Sequence, residues 1–279
     1  MTAESTPMIV LRGVEKRYRR DAPPALAGID LEIAEGTIVA VVGESGSGKS
    51  TMGRMLVGLT TPTAGEIEVA GTPPEPVSRR RRGRERPAQM VFQDVYGSLN
   101  PSQSIGFQLA EVHRVAHPNA SRAERADAVT SLLERVGLRP ADAYLRRRPD
   151  DLSGGQRQRV GIARALATDP RVIVADEPTS MLDVSVRREI LDLLAGLRDD
   201  GVTVVYITHD LLSAGYLADR VVVLHRGTIV EDGEPDQVLG APQHPYTQSL
   251  AAASPGLQLE LGHDALAATD AANDEQDER

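Results

Sequence analysis

Apolar positions along the chain fall into two alternating kinds of pattern. Residues 37–42, 172–175, 202–207 and 221–224 form short, near-continuous apolar runs rich in Val and Ile. A strand without a polar face must be covered on both sides, as in a parallel sheet sandwiched between helices. Residues 49–59, 155–167, 184–198 and 211–218 instead carry apolar side chains three and four apart, the period of a helix with one buried face. Strand followed by helix, repeated, predicts a doubly wound α/β fold.

Two stretches depart from this alternation. From about residue 94 to 155 the pattern is helical, punctuated by Pro, Ser and Arg, with no convincing strand. This predicts a helical subdomain inserted into the α/β body. Residues 231–256 contain two turn-rich joints and a short helical pattern near 246–252. From 257 to 279 the chain is Ala- and Asp-rich, ends Asp274-Glu275-Gln276-Asp277-Glu278-Arg279 and has little to bury, so disorder is expected there.

Composition narrows the function. With 41% hydrophobic and 25% charged residues in 279, the chain can bury a large core, and one main body over 8–230 with appendages is expected. A net charge of -9 argues against a nucleic-acid binder, which needs Lys and Arg to displace counterions from phosphates. The exception is Arg79-Arg80-Arg81-Arg82-Gly83-Arg84-Glu85-Arg86, read as a solvated loop or as a contact for anionic lipid or the acidic tail. The absence of cysteine excludes a disulfide framework, a thiolate nucleophile and a Cys-based metal site. Residues 1–7 lack the cationic start of a secretion signal, so no export is expected. The apolar runs fall far short of the roughly 20 residues that cross a bilayer, so a membrane role would come through a partner.

The chemistry-bearing residues lie at the ends of the predicted strands. Gly43-Glu44-Ser45-Gly46-Ser47-Gly48-Lys49-Ser50-Thr51 follows an apolar run and opens a helix, the required context for a phosphate-binding loop. Its glycines let backbone N–H groups approach phosphate oxygens, Lys49 adds a cation, and Ser50 offers a hydroxyl to Mg²⁺. The run at 172–175 ends in Asp176-Glu177, two carboxylates at the sheet edge where α/β folds bind ligands. There Asp176 would hold Mg²⁺ and Glu177 would take a proton from attacking water. Ser153-Gly154-Gly155-Gln156 stands before a helix, where Ser153 and the Gly154 and Gly155 amides read as an ordinary helix cap or as a second anion site, one more than a single ATP requires.

In this order, these motifs resemble the nucleotide-binding domain of the ABC transporter family over about residues 8–230. The resemblance implies a P-loop NTPase fold with a parallel-sheet core, an antiparallel β edge and the inserted helical subdomain. It implies that Gln93 contacts Mg²⁺ and the attacking water, that His209 contacts the γ phosphate, that Asp183 lies in a loop crossing a dimer interface, and that Tyr18 stacks on adenine. Ser153 would then act on ATP bound by a second copy or a related subunit, with ATP closing and hydrolysis opening the dimer. Val91-Phe92-Gln93-Asp94, Ser98-Leu99-Asn100-Pro101 and His244-Pro245-Tyr246-Thr247-Gln248-Ser249-Leu250 are similar to the oligopeptide and dipeptide importer branch. That likeness implies transmembrane permease subunits, an extracytoplasmic solute-binding protein delivering peptide, nickel or another small solute, and a place on the cytoplasmic face of the cell membrane. The competing readings are an exporter subunit, a soluble ABC ATPase acting on ribosomes or DNA, and a small-molecule kinase. The last leaves Ser153 and His209 without a role.

Overall fold

The computed structural model describes residues 7–76 and 86–254. The expectations for residues 79–85 of the basic cluster and for residues 257–279 lie outside them.

A six-stranded sheet forms the centre, in the order β5 (Ala88–Val91), β6 (Val172–Asp176), β7 (Thr203–Thr208), β3 (Ile38–Val42), β8 (Arg220–His225), β9 (Thr228–Gly233). The pairs from β5 through β8 are parallel, and β9 closes the edge antiparallel. Strands β3, β6 and β7 are buried along their whole length, which accounts for their unbroken apolar sequence.

Alternate side chains of each run enter different cores. Ile38, Ala40, Val42, Ile173, Ala175, Val204 and Tyr206 join the cluster on one face. Val39, Val41, Val172, Val174, Val205 and Ile207 join the other. The second face is covered by α1 (Lys49–Leu56) and by an antiparallel sheet of β2 (Leu26–Ala34), β1 (Pro7–Lys16) and β4 (Ala64–Val69). The first carries α5 (Gly154–Leu166), α6 (Val184–Asp199), α7 (Leu211–Leu217) and the helical stretch between β5 and β6.

That stretch holds α2 (Ile105–Ala116), α3 (Arg122–Arg135) and the short α4 (Asp142–Leu145). Its start points are local chemistry. Ser104 caps α2, and Ser121 with Glu124 forms a reciprocal capping box on α3. Ser121→Ala should lower stability by about 1 kcal/mol, read as a shift in denaturant midpoint at unchanged m-value.

Beyond β9 the chain makes a π-helical turn over Asp236–Gly240 and then α8 (Pro245–Ala252). Val238 and Leu239 are buried in the main core, and Tyr246, Leu250 and Ala251 pack against it. The segment is therefore attached to the body through apolar contact.

Candidate functional site

Four adjacent strands of the central sheet deliver the predicted residues to one edge. The phosphate loop follows the carboxyl end of β3, Asp176 ends β6 with Glu177 next, His209 follows β7, and Gln93 lies two residues past β5. Parallel strands all end on the same side, so residues far apart in sequence share one crevice.

The loop from Gly43 to Thr51 wraps into the N-terminus of α1. Gly48 caps that helix at φ 111°, and a Cβ there would collide with the Ala25 carbonyl and the Leu26 side chain. Only glycine fits without moving β2. Gly43, Ser47 and Lys49 are buried, whereas Glu44, Ser45 and Gly46 are exposed. Lys49 Nζ donates to the carbonyls of Gly43 at 2.6 Å and Glu44 at 2.8 Å. Burial pushes its ammonium below the usual lysine range, against the pull of Glu177, Asp176 and Glu44. The Ser47 hydroxyl is buried without a partner, an orphan oxygen in a loop whose N–H groups suit phosphate.

Ser50 Oγ donates to Asp176 Oδ1 at 3.0 Å, joining the loop to the end of β6. Burial pushes the Asp176 carboxyl above the usual range, with Ser50 opposing. A raised native pKa means stability present at acid pH and lost as pH rises through the raised value, so at neutral pH the buried charge is a cost. We expect nucleotide-free Asp176→Asn to melt higher than the parent at neutral pH, with the gap closing on acidification; a lower melting temperature at neutral pH would contradict this. Hydroxyl and carboxylate oxygens suit a hard divalent cation. Among the described residues no group of three or more His, Cys, Asp or Glu is placed to hold a metal. A Mg²⁺ ion here would therefore draw most of its ligands from phosphate and water.

Glu177 is the centre of a contact set that the sequence does not announce. Its backbone is left-handed, φ 45°, a conformation costing a non-glycine residue on the order of 1–2 kcal/mol. Its N–H is anchored to the Ile207 carbonyl at 2.8 Å. Its carboxylate lies between two predicted partners, accepting from Gln93 Nε2 at 3.2 Å and lying 3.1 Å from His209 Nδ1. Gln93 Nε2 also reaches Ser180 Oγ at 3.4 Å. A further pair has no signature in the sequence: Arg187 on α6 bonds Asp210, which caps α7 directly after His209. Two opposite charges 23 residues apart carry no local signal.

Among the described residues, no hydrogen bond joins the remaining predicted ones to Gln93, Glu177 or His209. Ser153 caps α5, with Gln156 N donating to its hydroxyl at 3.3 Å and Ser153 N donating to Gln156 Oε1 at 3.1 Å. Gly154 is exposed, and a Cβ at Gly155 would collide with Val186 of α6. Asp183 stands at the N-cap of α6 without a side-chain bond, between the strongly exposed Met181 and Val184. Tyr18 is 59% exposed; its hydroxyl is 3.5 Å from Thr51 Oγ1, and Lys16 Nζ lies over the ring, 5.1 Å from its centroid.

Known proteins share both sequence and shape with this chain. The family profile described as ABC transporter matches residues 26–180. The dipeptide transport ATP-binding protein DppF of Haemophilus influenzae is 41% identical over 276 residues, 95% of this chain and 84% of its own length. The di/tripeptide transport ATP-binding protein DppF of Pseudomonas aeruginosa is 44% identical over 235 residues, 84% and 72% of the two chains. Among solved structures, CbiO1 from Clostridium perfringens, described as part of an ABC transporter complex, superposes with a TM-score of 0.73 at 28% identity, covering 84% of this chain and 91% of that one. An ATP-binding cassette solved as a dimer in a post-hydrolysis state with ADP and Pi gives 0.69 at 33% identity, covering 82% and 99%.

Proposed function

The chain belongs to the ABC transporter family of ATP-binding, ATP-hydrolysing subunits, and from that premise we propose that it is the motor of a peptide importer. The observation that carries the chemistry is the convergence of the phosphate loop, Asp176, Glu177, His209 and Gln93 at one edge of the sheet, with Glu177 held between Gln93 and His209. The peptide assignment is supported by relatives whose names specify dipeptide and di/tripeptide transport.

In this reading Gly43, Glu44, Ser45, Gly46, Ser47, Gly48 and Thr51 form the cradle for the phosphates, and Lys49 turns its ammonium from the loop carbonyls to the β and γ oxygens. Ser50, Asp176 and Gln93 would hold Mg²⁺, which would neutralise phosphate charge. Glu177 accepts a proton from the water that attacks the γ phosphorus; the bond to ADP breaks and phosphate leaves. His209, bonded to the same carboxylate, fixes its direction. Tyr18 supplies a stacking face to adenine. Ser153, Gly154, Gly155 and Gln156, with Asp183, meet the nucleotide of a second ATPase subunit, so binding closes the dimer and hydrolysis opens it.

Among the described residues no helix is long and apolar enough to cross a membrane. We place the chain at the cytoplasmic face of the cell membrane, held by permease subunits and served by an extracytoplasmic binding protein. The body over 8–230, with its helical subdomain, forms the motor, and residues 231–256 form an importer-type extension. Uptake of a labelled dipeptide by cells lacking the gene tests the reading. Restoration by the parent and not by Glu177→Gln is expected; uptake indifferent to the chain would contradict peptide import.

A further inference from the structure

The root of the phosphate loop is held by a residue from the far end of the chain. Glu44 N donates to the Tyr246 hydroxyl at 2.9 Å, across 202 residues. The same peptide unit is gripped on its other side, since the Gly43 carbonyl accepts from Lys49 Nζ, which also donates to the Glu44 carbonyl of the next unit. Gly43 is pressed so closely on the Leu224 carbonyl of β8 that a Cβ would collide with it. The next residue, His225, packs its ring on Tyr246 with centroids 3.8 Å apart. Loop root, β8 end and α8 thus meet at one point.

Tyr246 is itself held rigidly. His244 caps α8, its Nδ1 accepting from Tyr246 N at 3.1 Å. The Glu231 carboxylate of β9 accepts from Gln243 N at 2.8 Å and His244 N at 3.1 Å. Thr247 is fully buried. Fixed at both ends, the phenol is a strut between the extension and the phosphate loop.

We propose that Tyr246 is a positioning residue of the nucleotide site, setting the Gly43–Glu44 peptide so that the loop presents its remaining N–H groups to phosphate. The inference rests on the reading of residues 43–51 as an ATP phosphate loop. It gives the extension a role in nucleotide affinity, because a hydroxyl that fixes the loop acts alike on substrate and transition state.

The test uses the full chain, with Tyr246→Phe removing only the hydroxyl and His225→Leu removing the ring that packs on it. Titration with a fluorescent ATP analogue plus Mg²⁺, steady-state hydrolysis and a thermal melt are read for each. Loss of one such hydrogen bond predicts a Kd and KM raised about three- to tenfold in Tyr246→Phe. Its kcat should stay within about twofold, and His225→Leu should move KM in the same direction. Unchanged Kd and KM in both variants, or a fall in kcat at unchanged KM, would overturn the proposal. Lys49→Ala run in parallel separates the premises: if it too leaves affinity unchanged, the phosphate-loop reading fails; if it alone weakens binding, only the role of Tyr246 does.

Discussion

Glu177→Gln is expected to lower steady-state ATP hydrolysis by about two to four orders of magnitude, the usual contribution of a positioned general base. Nucleotide binding should be nearly unchanged. Glutamine keeps the size of the side chain and one acceptor oxygen, so the left-handed backbone, the Ile207 anchor and a bond from Gln93 can persist. What is lost is the ability to take a proton from water. With binding intact and hydrolysis blocked, the variant should accumulate as a closed dimer with MgATP, visible as a shift in elution volume that the parent shows only transiently. Hydrolysis equal to the parent's would remove Glu177 from the base role.

Lys49→Ala should act on a different quantity. The ammonium sits at the base of the loop, and burial already disfavours its charge, so an anion placed against it gains both attraction and hydrogen bonds. Hydrogen bonds to charged groups are worth about 1.5–3 kcal/mol, which corresponds to roughly ten- to 150-fold in affinity. Kd for ATP should rise by that factor, and turnover should fall with it at sub-saturating nucleotide. The contrast between the two variants, turnover lost at constant affinity against affinity lost, separates base from cradle.

The central sheet is legible in the sequence because β3, β6 and β7 are buried on both faces, leaving unbroken apolar runs. Helix ends are less so. Apolar spacing extends the first helix to 59, whereas α1 stops at Leu56 because Gly58 turns left-handed at φ 71°. The antiparallel sheet was legible only through the resemblance. Strand β1 carries register shifts against both neighbours, and each shift resets the alternation that would mark it.

The site divides along the same line. The phosphate loop and the Asp176-Glu177 pair are contiguous and announce themselves. Contact of Glu177 with both Gln93 and His209 depends on β5, β6 and β7 being neighbours, a property of topology. Tyr246 lies in a segment whose local pattern fits an ordinary surface helix, and only the folded chain brings it to Glu44.

Whether this ATPase drives a membrane transporter for peptides is decided by purifying the tagged chain from detergent-solubilised membranes of its host. Mass spectrometry then identifies what travels with it. Two multi-span membrane proteins, an ATPase subunit of the same family and a peptide-binding protein are expected. Recovery of ribosomal or DNA-repair proteins in their place would contradict transport while leaving the ATP chemistry standing.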